Sequence, residues 1–374
     1  MNAYRTLLRP LLFRADAESV HALAIRAAEL ASSSAWLCSR IERRHAVDSD
    51  RLAVDIGALH FRTPLGLAAG FDKSARAVPL LAALGFGHVE VGSISAEPSA
   101  GNPRPRLFRI PLDRGIVVNY GLPNDGAQAV ARRLAGLHAG APLGINIVST
   151  NRGASAPVQS DAAVIDDYLE SVRRLQPFAD YLCLNLSCPN TREGRGFFHE
   201  PARLARLLQE LDTPGGAGTG KPLFLKVAPF QSLAELESFL ATVEPARSVT
   251  GFSVNLPPGK PAGLATPASE LAAMPGAVSG PIAAAAADRT LRELYRRMDR
   301  SRYRLIGSGG VFTAEDAYRK IRLGASLVQL MTALVYEGPG IAAQINRGLA
   351  RLLERDGVQH VAQVVGVDTE CPVP

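Results

Sequence analysis

From residue 52 onward the chain alternates between short runs of apolar, β-branched residues and longer stretches with apolar positions at helical spacing. The runs at 65–69, 88–92, 143–147, 181–185, 223–227, 249–254, 303–307 and 327–330 read as strands. Helical patterns follow them at about 74–84, 123–137, 161–175, 201–211, 231–243, 281–299, 313–322 and 339–355. Eight repeats of strand then helix predict an α/β fold of the (β/α)8, or TIM barrel, type. An open doubly wound sheet is the alternative, but it usually has fewer strands. Four stretches break the repeat. Residues 52–63 and 105–118 read as added strands or hairpins, 257–280 as a Pro/Gly/Ala-rich loop, and 212–221 as a flexible surface turn.

The first 48 residues stand outside this pattern and form a separate unit ahead of a catalytic domain over 49–374. Leu7, Leu8, Leu11, Leu12 and Phe13 are apolar and broken by Pro10. Asp16 can cap a helix carrying Val20, Leu23, Ala24, Ala27 and Leu30. One reading is a helical cap packed on the barrel. The other is an interfacial element, with apolar residues toward lipid and Arg5, Arg9, Arg14 and Arg26 toward headgroups. No run approaches the ~18 apolar residues of a membrane span. The arginines also interrupt any signal-peptide layout.

Length fits this plan: a barrel takes about 250 residues, and 374 leave room for the N-terminal unit and insertions. A hydrophobic share of 47% rules out global disorder. The net charge of +6 comes mostly from scattered arginines, without the basic stripe of a nucleic-acid-binding protein. It suits an anionic cofactor, an anionic substrate or an acidic lipid surface. Cys38, Cys183, Cys188 and Cys371 match neither a zinc pattern nor CxxC, and read as reduced thiols.

Barrel enzymes build their sites at the C-terminal ends of the strands. Here those ends carry Asp72 and Lys73, Ser93, Asn146, Asn185, Lys226, Asn255, Gly309 with Gly310, and Thr332. Amides and lysines dominate, which suits a ligand rich in carbonyls, ring nitrogens and phosphate rather than a di-carboxylate metal site; no metal is expected. Gly309-Gly310 follows the seventh strand, where backbone amides commonly meet phosphate, although a tight turn alone would also use the pair. Lys226 lies in a buried strand and needs a charged or polar partner. The segment LNLSCPN, residues 184–190, brings Asn185, Ser187, Cys188 and Asn190 together, and its amides can grip an imide or amide ring. Cys188 is placed to act as a base, or is a small buried hydrophobe. Cys183, inside the strand, reads as packing.

The motifs AAGFDK (68–73), EVGSIS (90–95), GNPRPRLFR (101–109), GIN (144–146), NLSCPN (185–190), FLKVAP (224–229), VSG (278–280), GSGG (307–310) and GASLVQLMTAL (324–334) resemble dihydroorotate dehydrogenases, in order across the whole barrel. LLFRADAESVHALAIRAAEL (11–30) resembles the class 2, membrane-associated, quinone-linked branch. The resemblance implies FMN-dependent oxidation of (S)-dihydroorotate to orotate in pyrimidine biosynthesis. It also implies a quinone acceptor and a peripheral position on the cytoplasmic side of the membrane. FMN contacts fall on Ala69, Gly70, Lys73, Ser93, Asn146, Asn185, Lys226, Gly280, Gly310, Met331 and Thr332, with Gly309 beside them. Lys226 would stabilise the reduced ring. Substrate contacts fall on Lys73, Gly121, Leu122, Asn185, Asn190 and Asn255, and the base on Cys188. Arg106 is expected beside the quinone path.

The chain also departs from class 2. That branch has serine where Cys188 stands, and cysteine is the class 1 habit. GLPN (121–124) also looks like class 1. The asparagine of the class 2 substrate loop becomes Val118, with Asn119 one place later as the expected contact. The residues on either side of Asn255 become Val254 and Leu256 where the family has threonine. The cofactor half is therefore expected intact and the substrate half altered. A related flavoenzyme acting on a different small unsaturated or dihydro compound is the alternative.

Overall fold

In the computed structural model, residues 3–191, 194, 196–213 and 220–370 are described. Cys371 and most of the expected surface turn at 212–221 lie outside them. The N-terminal unit holds three helices: α1 (Arg9–Leu12), α2 (Ala17–Ser32) and α3 (Ala35–His45). Pro10 does not break the chain here. It sits in the first turn of α1, and Tyr4–Leu8 ahead of it adopts the wider π-helical form. A widened turn accommodates a ring that would clash with the carbonyl four residues back. Asp16 caps α2, accepting from the Ser19 N–H at 2.8 Å.

The strands, in chain order, are β1 (Val54–Ile56), β2 (Leu59–Phe61), β3 (Leu65–Leu67), β4 (His88–Ile94), β5 (Leu107–Ile110), β6 (Gly115–Val118), β7 (Leu143–Ile147), β8 (Tyr181–Asn185), β9 (Leu223–Val227), β10 (Val249–Val254), β11 (Ala277–Ser279), β12 (Arg304–Gly307) and β13 (Leu327–Leu330). Eight of them close a barrel in the order β3-β4-β7-β8-β9-β10-β12-β13, every pair parallel. This is the predicted (β/α)8 architecture. Its principal helices are α4 (Val78–Ala83), α5 (Ala127–Leu134), α6 (Asp161–Leu175), α7 (Pro201–Asp212), α8 (Leu233–Val243), α9 (Ala268–Ala272), α10 (Ala284–Arg297), α11 (Ala314–Arg322), α12 (Thr332–Glu337) and α13 (Ile341–Arg355). β7, β8 and β9 are buried along their whole length. Such strands carry continuous apolar runs because helices cover their outer faces and side chains fill the interior.

The interruptions are structured. β1 and β2 form an antiparallel hairpin. β5 and β6 form a second hairpin, and β11 adds to β6 as a third antiparallel strand. The expected loop at 257–280 therefore contains α9 and ends in a strand. Its partner lies about 160 residues earlier, so no local pattern could announce the pairing.

Candidate active site

The C-terminal ends of the barrel strands, the β5–β6–β11 sheet and α2 enclose a cavity of about 450 Å3. One wall is polar. Asn185 Nδ2 donates to Ser93 Oγ at 3.1 Å, and Ser93 Oγ donates to Asn146 Oδ1. Asn255 Nδ2 donates to Asn185 Oδ1 at 3.2 Å and to Ser187 Oγ at 3.2 Å. Lys226 reaches the same wall from β9. These side chains orient one another, so their remaining donors and acceptors face the cavity already fixed. Asn146 is the exception. It is fully buried behind Ser93 and positions that hydroxyl instead of lining the space.

At the β12 end, Ser308, Gly309 and Gly310 line the cavity beside Ser279, Gly280, Met331 and Thr332. Both glycines of the pair have positive φ, 86° and 74°. A Cβ on Gly310 would lie 2.6 Å from that of Ala284. Among the described residues, nothing in the protein accepts from the Gly309 or Gly310 N–H. Two bare amides at a barrel mouth fit phosphate oxygens. Together with the ammonium, hydroxyl and amides of the polar wall, the donor set matches a phosphorylated, carbonyl-rich ring cofactor. Thr332 donates to Ser279 Oγ at 2.9 Å; Ser279 lies in the VSG segment, of which only Gly280 is an expected contact.

Lys73, Cys188, Pro189 and Asn190 line the same cavity. Lys73 Nζ lies 3.2 Å from His21 Nε2 of α2 and 4.0 Å from the centre of the Tyr120 ring. Burial lowers the Lys73 pKa to about 8, with Arg106 adding repulsion against the pull of Asp72 and Glu18. Burial and the neighbouring lysine likewise lower His21 to about 3, so it is a neutral ring at the lysine's side. Asp72 does not serve the cavity. Its carboxylate accepts from the Ala77 N–H at 2.8 Å and the Arg76 N–H at 3.0 Å, closing the turn that presents Lys73.

Gly121 and Leu122 line the space as expected, but Asn119 does not. Its side-chain and backbone oxygens accept from Asn102 Nδ2, both at 3.1 Å, on the far side of the loop. Val118 faces the cavity in its place, with Leu256 also on the lining. Neighbouring residues of an extended chain point to opposite faces, so an asparagine displaced by one position points away. The same alternation corrects Arg106. It is buried, donating to Glu18 of α2 at 2.8 Å and to the Ala100 and Asn102 carbonyls, while Leu107 and Arg109 line the cavity. Beyond them the lining turns apolar, through Leu12, Phe13, Ala17, Val20 and Ala24, and leads between α1 and α2.

A closed parallel barrel with an amide- and lysine-rich site at its strand ends, roofed by an N-terminal helical pair, defines a class of barrel oxidoreductases. The sequence profile of the family described as dihydroorotate dehydrogenase matches residues 51–353. The chain is 41% identical over 365 residues to the dihydroorotate dehydrogenase (quinone) of Roseiflexus castenholzii, covering 97% of this chain and 96% of that one. It is 40% identical over 364 residues to the enzyme of the same name from Natronomonas pharaonis, covering 97% and 98%. Among solved structures, the Eimeria tenella DHODH in complex with ferulenol superposes with a TM-score of 0.79 at 29% identity, over 95% of this chain and 96% of that one. The chain belongs to the dihydroorotate dehydrogenase family, in its class 2, quinone-linked branch.

Proposed function

We propose that the protein is an FMN-dependent dihydroorotate dehydrogenase that oxidises (S)-dihydroorotate to orotate and passes the electrons to a membrane quinone, a step of pyrimidine biosynthesis. The observation that carries this reading is that one cavity is lined both by a cofactor-type donor set and by Cys188, Lys73 and Asn190. Ser93, Asn185, Lys226, Gly280, Gly309, Gly310, Met331 and Thr332 would hold FMN, together with Ala69 and Gly70 at the end of β3. FMN supplies the hydride acceptor when bound. Cys188 Sγ takes the proton from the carbon next to the ring carbonyl, so that the substrate loses one proton and one hydride and gains a C=C bond. Lys73 pairs with the substrate carboxylate, and the amides of Asn185, Asn190 and Asn255 hold the ring. Anaerobic mixing with dihydroorotate is the direct test: bound flavin should bleach within the turnover time, and flavin that stays oxidised refutes the reading.

Val118 and Leu256 on the lining favour a second reading. Each presents an apolar surface where a ring carbonyl or N–H would want a partner, and a buried unsatisfied polar group costs about 1–3 kcal/mol. A related dihydro or unsaturated substrate with an apolar edge would avoid that cost. Bleaching by such a compound, with none by dihydroorotate, selects this reading.

Residues 1–48 form the docking unit in this proposal. Leu7, Leu8, Leu11, Leu23, Leu30 and Trp36 are all more than half exposed on the π-helical turn Tyr4–Leu8 and the three helices that follow it, and Arg5, Arg9, Arg14 and Arg26 lie among them in sequence. Among the described residues no helix is long and apolar enough to cross a membrane. Such a surface rests in the headgroup region, on the cytoplasmic face, and the apolar path between α1 and α2 admits a quinone from the lipid.

A further inference from the structure

Behind the polar wall the barrel interior holds a carboxylate that the proposed chemistry leaves unused. Glu90 of β4 is 0% exposed. Its Oε1 accepts from Asn146 Nδ2 at 2.9 Å, and its Oε2 accepts from Gln329 Nε2 at 2.9 Å and from the Tyr181 hydroxyl at 3.2 Å. Lys226 Nζ lies 3.8 Å from Oε1. Every one of these partners is a donor, which is the environment of an ionised carboxylate. Glycines make room for the cluster: a Cβ on Gly144 would fall 2.1 Å from the Tyr181 ring, and one on Gly66 the same distance from His88.

The other titratable members are neutral. Burial lowers the His88 pKa to about 3, and burial followed by the Glu90 charge pushes the Tyr181 hydroxyl and the Cys183 thiol well up. Glu90 and Lys226 form the ion pair of the cluster. Isolating either from water is strongly unfavourable unless the other stays beside it. Lys226 and Gln329 both line the cavity. The carboxylate thus acts on the cavity through one side chain at each end of its hydrogen-bond set.

We propose that Glu90 is a positioning residue that sets the reduction potential of the flavin held in this cavity, by cancelling part of the positive field of Lys226. The proposal rests on the FMN reading above. A flavin that gains negative charge on reduction is favoured by a nearby ammonium. An ammonium without a counter-charge would hold the reduced form too firmly to release electrons to a quinone. Glu90 limits that hold without touching substrate or cofactor.

The test is a dye-equilibrated reductive titration of the FMN-loaded full chain. Glu90→Gln should move the reduced-to-oxidised ratio at a fixed dye potential at least about tenfold toward reduced, each tenfold being about 30 mV for a two-electron couple. Glu90→Asp, which keeps the charge, should stay within about threefold of the parent. A Glu90→Gln ratio equal to the parent's, or an equal shift in Glu90→Asp, overturns the proposal. Should Glu90→Gln fail to take up flavin, the double variant Glu90→Gln/Lys226→Met, which removes both charges together, should give a ratio no more reduced than the parent's. A double-variant ratio about tenfold toward reduced, or loss of flavin from every variant, assigns Glu90 a purely structural role and overturns the proposal. A parent protein that binds no flavin refutes the FMN reading itself, and is distinguished by the absence of colour before any titration.

Discussion

The barrel and the N-terminal helices treat their apolar residues in opposite ways. In the barrel the strand side chains are buried almost without exception, and the polar ones that remain inside are bonded to one another. In α2 only Ile25 and Ala28 are buried, and in α3 no residue is. What ties α2 and the turn before it down is largely polar: Glu18 pairs with Arg104 and Arg106, and Arg109 donates to the Leu12 and Ala15 carbonyls ahead of the helix. A helix that leaves Leu23 and Leu30 outward and is anchored through Glu18 is not built to complete a core. The barrel is organised around chemistry that needs fixed groups, and the helices around a surface that needs apolar contact.

The comparison breaks most sharply at the base. Cys188→Ala should slow flavin reduction by dihydroorotate about 10²-fold or more in stopped flow, with liposome binding untouched; an equal rate would remove Cys188 from the mechanism. The converse variant replaces Leu7, Leu8 and Leu11 with serine. Each leucine only partly inserted in the headgroup region contributes about 1 kcal/mol, so losing three should weaken sedimentation with anionic liposomes by about 10²-fold while flavin reduction keeps its rate. Retained liposome binding would make the helices a cap on the barrel. Deleting α2 is a poorer test, because Val20, His21 and Ala24 roof the cavity.

Lys73 joins the two regions, and its pH response sharpens the boundary between them. Its folded pKa is depressed to about 8, so the cation is present below that value and is lost as pH rises through it. KM for an anionic substrate should therefore climb above pH 8, approaching tenfold per pH unit, with kcat changing less because bound carboxylate holds the proton on. A flat KM from pH 7 to 10 would refute the pairing. The same depression makes the charged form unfavourable in the folded protein below pH 8. That penalty is relieved between about 8 and the ordinary lysine value. The smallest effect is expected at Val118. Val118→Asn should lower KM for dihydroorotate by about two- to tenfold, the worth of one hydrogen bond. A raised KM would support a natural substrate with an apolar edge.

Much of this molecule was legible before folding. The eight barrel strands could be read because a strand buried on both faces is an unbroken apolar run, and the strand-end residues follow from the rule that barrel sites sit at one rim. Asp16 announced the start of α2 through a local hydrogen bond, and local bonds survive in the sequence pattern. What the sequence could not decide involves residues far apart along the chain. That β11 pairs with β6, that Asn119 turns away while Val118 faces the cavity, and that Arg106 clamps α2 instead of lining a path are all outcomes of register, and register is set by distant partners. His21 beside Lys73 and Glu90 beneath Lys226 lie 52 and 136 positions from their partners. Only tertiary packing brings those pairs together and excludes water from them, and it is that exclusion which makes their charges matter.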